Sequence, residues 1–184
     1  MPVLHLLVGP NGAGKTTLWT DVLAERLPFI NADEIARRRW PGDEVEKAYE
    51  AARLAAEQRS AAIVARRSFA TETVFSHPSK LDLVREAKGA GYRVVLHVVM
   101  VPVELAVART RLRAEQGGHR VPAVKVRRRH RRLWPLVATA IGEVDEAIVY
   151  DNARADVPFD VVRRYVLGAL VFAGEEPDWS PLPQ

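Results

Sequence analysis

Cysteine is absent from the 184-residue chain, which excludes disulfides and thiolate zinc sites and leaves no mark of an oxidising compartment. Long apolar runs are missing too. The opening "MPVLHLLVGPNG" holds an apolar stretch too short for a signal peptide or a membrane span, and a glycine-rich loop follows at once. Aromatic residues make up 7% of the chain, and only Trp134 accompanies its most basic stretch, so the aromatic interleaving expected of single-strand nucleic-acid binders is missing. A soluble cytoplasmic protein is the expectation, with no membrane partner and with nucleic acid disfavoured.

What is present is a 48% hydrophobic composition, enough to bury one substantial core and hardly enough for two. A single domain over residues 1–174 is expected, followed by a proline-rich tail, 175–184, that carries no periodicity. No internal repeats occur. The net charge is +4, but Arg109 to Arg132 hold ten Lys/Arg against one acid, Glu115. Such asymmetry marks a place that handles anions, either nucleotide phosphates or a nucleic-acid backbone, although a solvated arginine face produces the same pattern.

Short β-branched runs alternate with stretches of helical period, the pattern of βαβ units and an α/β fold with a parallel sheet. Strands are expected at "PVLHLLV", "FINA", "SFATET", "RVVLHVVMV" and "EAIVYDN". Helices are expected at "KTTLWTDVLAERL", from Glu44 to Arg67, over "PSKLDLVREAKGAGY", from Val103, from about Pro122 with a disturbance at Pro135, and over "FDVVRRYVLGALVFA". In the Glu44–Arg67 stretch, Val45, Ala48, Tyr49 and Ala52 have the spacing of an amphipathic face.

Residues 9–18 read "GPNGAGKTTL". Gly9, Gly14, Lys15 and Thr16 meet the pattern G-x-x-x-x-G-K-S/T directly after one expected strand and directly before an expected helix. Glycines let the backbone wrap a phosphate with its N–H groups inward, and the helix N-terminus adds a positive dipole end. Gly9, Pro10, Asn11, Gly12, Ala13, Gly14, Lys15, Thr16 and Thr17 thus form a candidate ATP site, with Lys15 reaching the β- and γ-phosphates and the Thr16 hydroxyl ligating Mg²⁺. The letters are similar to those of ATP-binding cassettes. That family is excluded by the remainder, which has no "LSGGQ"-like signature and no apolar run ending in Asp-Glu.

Two carboxylates at expected strand ends, Asp33 in "FINADEIA" and Glu72 in "FATETVFS", should converge on the mouth beside the loop. Asp33 could accept a substrate proton or cap a helix, and Glu72 could bind substrate, hold water on Mg²⁺ or pair with a surface arginine. His5 and His97, alternating with apolar residues, read as packed side chains, and His119 and His130 lack metal-binding company.

In this order, "GPNGAGKTT", "FINADEIA", "FATETVFS", "GYRVVLHVVMV" and "RLRAEQGGHRVP" resemble the motifs of the zeta-toxin-like P-loop kinases, over roughly residues 1–152. "GGHRVP" together with "NADEIA" points to the small GGH-type members. The resemblance implies a P-loop NTPase fold, a five-stranded parallel sheet flanked by helices, with a basic helical lid near residues 109–132. It implies ATP- and Mg²⁺-dependent phosphorylation of a small-molecule hydroxyl, as on a UDP-amino sugar such as UDP-N-acetylglucosamine, and, for toxin members, an antitoxin protein partner. By position it makes Lys15, Asp33 and Arg113 catalytic, with Asp33 the base and Arg113 reaching the transferring phosphate. It assigns Glu72, Thr73, His119 and Arg120 to the acceptor, and adds Arg128 and Asn152 to the nucleotide site. His119 stands where toxins carry a second arginine, for which Arg120, Arg127 and Arg128 are nearby substitutes. The motif after the strand departs from the family at Val74, where a hydroxyl is usual. A nucleic-acid-associated ATPase, or a kinase of a polynucleotide end, a nucleoside or an antibiotic, is the alternative.

Overall fold

The structure is a computed structural model that describes residues 1–23, 26–116 and 121–182. Its centre is β1 (Val3–Val8), whose side chains from Leu4 to Val8 are buried on both faces, as a central parallel strand requires. β1 pairs in parallel with β3 (Phe69–Thr73) on one side and with β4 (Arg93–Met100) on the other. β2 (Phe29–Ile30) and β5 (Glu146–Asp151) extend this parallel core outward. The order β2-β3-β1-β4-β5 puts the C-terminal ends of all five strands along one edge, where an open α/β sheet binds its ligands.

Helices cover both faces. α1 (Lys15–Thr17) continues as a π-helical stretch over Leu18–Leu23. α2 (Ala32–Arg39) begins at an Asn31 cap, whose Oδ1 accepts from the N–H of Asp33 at 2.8 Å and of Glu34 at 3.4 Å. α3 (Ala48–Val64), α4 (Ser79–Gly89), α5 (Val103–Glu115) and α6 (Ala123–Glu143) complete the layers. No helix among the described residues is long and apolar enough to cross a membrane.

Three expectations are corrected. The segment "FDVVRRYVLGALVFA" is a hairpin, β6 (Asp160–Val166) and β7 (Ala169–Ala173), added antiparallel to β5, so the sheet has seven strands among the described residues. Its turn, Leu167-Gly168, has φ of +50° and +78°, the double positive value that a two-residue hairpin needs, and the two strands carry the β-branched or aromatic Val161, Val162, Tyr165, Val166, Val171 and Phe172. The helix expected from Glu44 begins at Ala48, and Val45, Ala48, Tyr49 and Ala52 do not face the core. Ala51, Ala55, Ala62 and Ile63 are buried instead, while Tyr49 is 80% exposed. α6 runs unbroken through Pro135, which lies on the exposed side, where water can satisfy the carbonyl that the missing N–H leaves free.

The tail also has a place. Trp179 packs on the main core, Leu182 is buried, and Glu176 forms an ion pair with Arg163 of β6. His5 and His97 are buried neighbours on β1 and β4, with Nδ1 of His5 3.0 Å from Nε2 of His97.

Candidate active site

The loop between β1 and α1 is held by close approaches that only glycine permits. At Gly9, φ is +151° and a side-chain carbon would stand 2.4 Å from the Val99 carbonyl oxygen of β4. At Gly14, φ is +92° and a side-chain carbon would meet Nδ2 of Asn152 at 2.6 Å. Asn152 is buried behind the loop and donates from Nδ2 to the Ala13 carbonyl at 2.8 Å, bracing the loop rather than lining the space in front of it.

Lys15 follows, with its ammonium group buried and donating to the carbonyls of Gly9 at 3.1 Å and Pro10 at 3.0 Å. Desolvation holds its pKa below the ordinary lysine value, against the opposing pull of Glu72 and then Asp33. No carboxylate lies within ion-pair distance among the described residues, so a buried cation is bound only by neutral carbonyls. A phosphate is the ligand that such an arrangement fits. The Thr16 hydroxyl donates to Oε2 of Glu72 at 2.8 Å, joining the loop to the end of β3. These two oxygens fit a Mg²⁺ ion that takes its remaining ligands from phosphate and water.

In front of the loop opens a cavity of about 1030 Å³, at the large end for a small-molecule site. Asn11, Gly12, Gly14, Lys15, Thr16 and Thr17 line one side of it, and Asp33, Glu72, Thr73 and Arg113 face the same space. Because Asn31 provides the cap of α2, the Asp33 carboxylate is exposed to the cavity with no capping duty. The Thr73 hydroxyl accepts from the N–H of Phe75 at 3.2 Å and keeps its own proton available. Val74 also lines the space. His119 and Arg120, with the glycine pair 117 and 118, lie outside the described residues.

The basic run divides by the period of α6. Val126, Leu133, Trp134 and Val137 mark its buried side. Arg129, three residues beyond Val126 and four before Leu133, falls on that stripe, lines the cavity, and donates to Oδ1 of Asn11 at 3.3 Å. Desolvation, then the nearby Arg128, lowers the pKa of Arg129, while Asp33 opposes the shift. Arg128 points away from that stripe and is not among the lining residues. Arg127 is taken by Glu104, with contacts of 3.0 and 2.6 Å. Arg109 lines the cavity and donates to the Asn152 carbonyl at 2.9 Å. Arg109 and Arg129 were not singled out by the motifs, and helical phase was the signal that could have found Arg129.

A family described as AAA domain, AAA_33, matches residues 4–136, and the chain belongs to that family. No curated protein matches it. Among solved structures, a chain of the AvrRxo1-ORF1:AvrRxo1-ORF2 complex with sulphate ions superposes with a TM-score of 0.72 at 17% identity, covering 92% of this chain and 60% of that one. This chain therefore spans about three fifths of the length of that relative, which has also been crystallised with ATP. The PezAT chromosomal toxin–antitoxin system of Streptococcus pneumoniae gives 0.66 at 17% identity, covering 89% and 71%. A sugar kinase from Janibacter sp. gives 0.53 at 24% identity, covering 82% and 86%. At these identities the likeness establishes a P-loop kinase-like fold.

Proposed function

We propose that this chain is an ATP-dependent phosphotransferase of the zeta-toxin-like kind, in its small GGH form, which moves a γ-phosphoryl group to the hydroxyl of a small molecule. The observation that carries the reading is the buried Lys15 ammonium, bound only by carbonyls, facing Asp33 and Glu72 across one cavity. ATP supplies the phosphoryl group, and Mg²⁺, which Thr16 and Glu72 would hold, would offset the negative charge of its phosphates.

The chain's own residues position and neutralise. Lys15 and the inward N–H groups of the loop hold the β- and γ-phosphates, while Thr16 and Glu72 present oxygens to the metal. Asp33 orients the acceptor hydroxyl and takes its proton as the oxygen attacks. Phosphoryl transfer passes through a loose transition state with charge on the phosphoryl oxygens, so cations near them matter more than a strong base. Arg113 and Arg129 supply that charge from α5 and α6, with Arg129 in place of the second arginine that His119 replaces. Arg128, exposed and off the cavity wall, is left at most a minor part at the nucleotide, and Asn152 would act there through the loop it braces. The ends of α5 and α6 close over the site as the basic lid and exclude water, a competing acceptor.

A UDP-amino sugar such as UDP-N-acetylglucosamine is the first acceptor to try. Val74 removes a hydroxyl that such a substrate would meet, and a site missing one hydrogen-bond partner discriminates strongly, so close analogues belong in the same trial. A toxin–antitoxin structure with this fold makes an antitoxin-like partner part of the proposal, and a cytoplasmic location is proposed with it. The test is transfer from γ-labelled ATP with Mg²⁺ to UDP-sugars, nucleosides, aminoglycosides and oligonucleotides. Label in one acceptor class is the expected result, and release only as free phosphate would contradict the kinase reading.

A further inference from the structure

The cavity has a second wall that the phosphoryl-transfer machinery does not use. α3 contributes Ala48, Ala52, Ala55, Ala56, Arg59 and Ser60 to it, and α4 contributes Lys80, Leu83 and Glu86. The four alanines leave the floor low, as a site for a ring would need. Two cations, Arg59 and Lys80, stand on this wall, each half-buried.

Several arginines elsewhere in the fold are paired. Exposed Arg53, Arg85 and Arg127 each have a carboxylate within 3 Å, at Glu57, Glu143 and Glu104. Arg109 and Arg129, on the opposite wall, have oxygen acceptors. The Arg59 guanidinium and the Lys80 ammonium have neither a hydrogen bond nor an ion pair among the described residues. The acids nearby do not serve them. Asp82 faces Arg85 at 3.8 Å, and Glu86, which acts on Arg59 electrostatically, stays beyond ion-pair distance.

Burial first, and for Lys80 the neighbouring Arg59 next, pulls both groups below their ordinary pKa values. Two like charges set close together and partly stripped of water are costly unless an anion joins them. A guanidinium beside an ammonium suits phosphate or carboxylate, the first by its planar fork and the second as a point charge.

We infer that Arg59 and Lys80 form an anion subsite for the acceptor, which therefore carries a phosphate or carboxylate group in addition to the hydroxyl it presents at Asp33. This rests on the phosphotransferase reading for the identity of the ligand as acceptor, while the anion site itself does not depend on turnover. The inference separates the acceptor classes: phosphorylated or acidic sugars and nucleotides fit, whereas cationic aminoglycosides and neutral nucleosides do not.

The test fills the phosphate loop with AMP-PNP and Mg²⁺, or disables it by Lys15→Ala, and titrates the protein calorimetrically with inorganic pyrophosphate and, separately, malonate. Saturable binding of pyrophosphate, malonate or both is expected, and which anion binds more tightly distinguishes phosphate from carboxylate. The double variant Arg59→Gln/Lys80→Gln should weaken that binding by about tenfold or more, and Arg59→Lys should retain part of it. Absence of saturable binding by both anions, or equal affinity in the double variant with an unchanged thermal midpoint, would overturn the inference. Transfer to N-acetylglucosamine 1-phosphate against N-acetylglucosamine supplies the link to turnover. Transfer to neither sugar counts against the phosphotransferase reading, while the anion titration is scored on its own.

Discussion

The two walls of the cavity are built on different principles. On the phosphate-loop side, backbone geometry does the recognising: Gly9 and Gly14 sit where any side chain would collide, Asn152 clamps the Ala13 carbonyl, and Lys15 is locked between two carbonyls. On the α3–α4 side, side chains on ordinary helices face an open floor, and its cations are held by nothing within the described fold. A site for one invariant chemical group tolerates rigidity, whereas a site that distinguishes one acceptor from another can be rewritten by exchanging a few helix-surface residues.

The sharpest way to break this contrast is at Lys15. Lys15→Ala should lower phosphoryl transfer by about 10³-fold or more, measured at saturating acceptor, with the thermal midpoint hardly changed. Comparable transfer in the variant would mean that the loop side is not what holds the nucleotide.

A second prediction probes the scaffold beneath that side. Burial, and then the proximity of His5, depresses the pKa of His97 from 6.5 to about 3. The unfolded chain therefore takes up this proton first, so the stability contribution is complete above about pH 6.5 and is lost as pH falls towards 3. Its upper limit is about 5 kcal/mol. Urea unfolding across that window should show the loss, and His97→Gln should flatten that part of the slope.

Smaller effects sharpen the assignment within the basic run. Arg129→Ala should lower kcat by about 10- to 100-fold, whereas Arg128→Ala should stay within about twofold, because only Arg129 shares the buried stripe of α6 and faces the cavity. Equal effects would show that charge, not helical phase, governs this side. Smallest is Asn152→Ala, which should cost about 1–3 kcal/mol of stability by leaving the Ala13 carbonyl unpaired and should raise KM for ATP more than it lowers kcat.

The same contrast explains what could be read from the sequence. The phosphate loop was legible because its letters are dictated by backbone positions, as Gly9 and Gly14 show. The strands β1, β4 and β5 were legible because their apolar runs are buried on both faces. The α3 face is hard to read because its alanines are too small to declare a side: Ala52 is exposed to the cavity while Ala51 is buried. The β6–β7 segment has a helical period in sequence because apolar residues bunch around two arginines, and the contrary signal lies in the Leu167-Gly168 turn alone. The capping reading of Asp33 is displaced by Asn31, two residues earlier, whose side chain takes the capping role. Arg59 and Lys80 carried no motif at all, since their meaning depends on a missing partner, which only the packed structure reveals.

The central claim is that one cavity joins a nucleotide held by the loop to a hydroxyl oriented by Asp33. Its most direct test is Asp33→Asn, followed by nucleotide binding and by γ-phosphate transfer to the best acceptor found. The account predicts ATP affinity within about twofold of the wild type and transfer reduced by about 10²- to 10⁴-fold. Transfer undiminished in Asp33→Asn would contradict it.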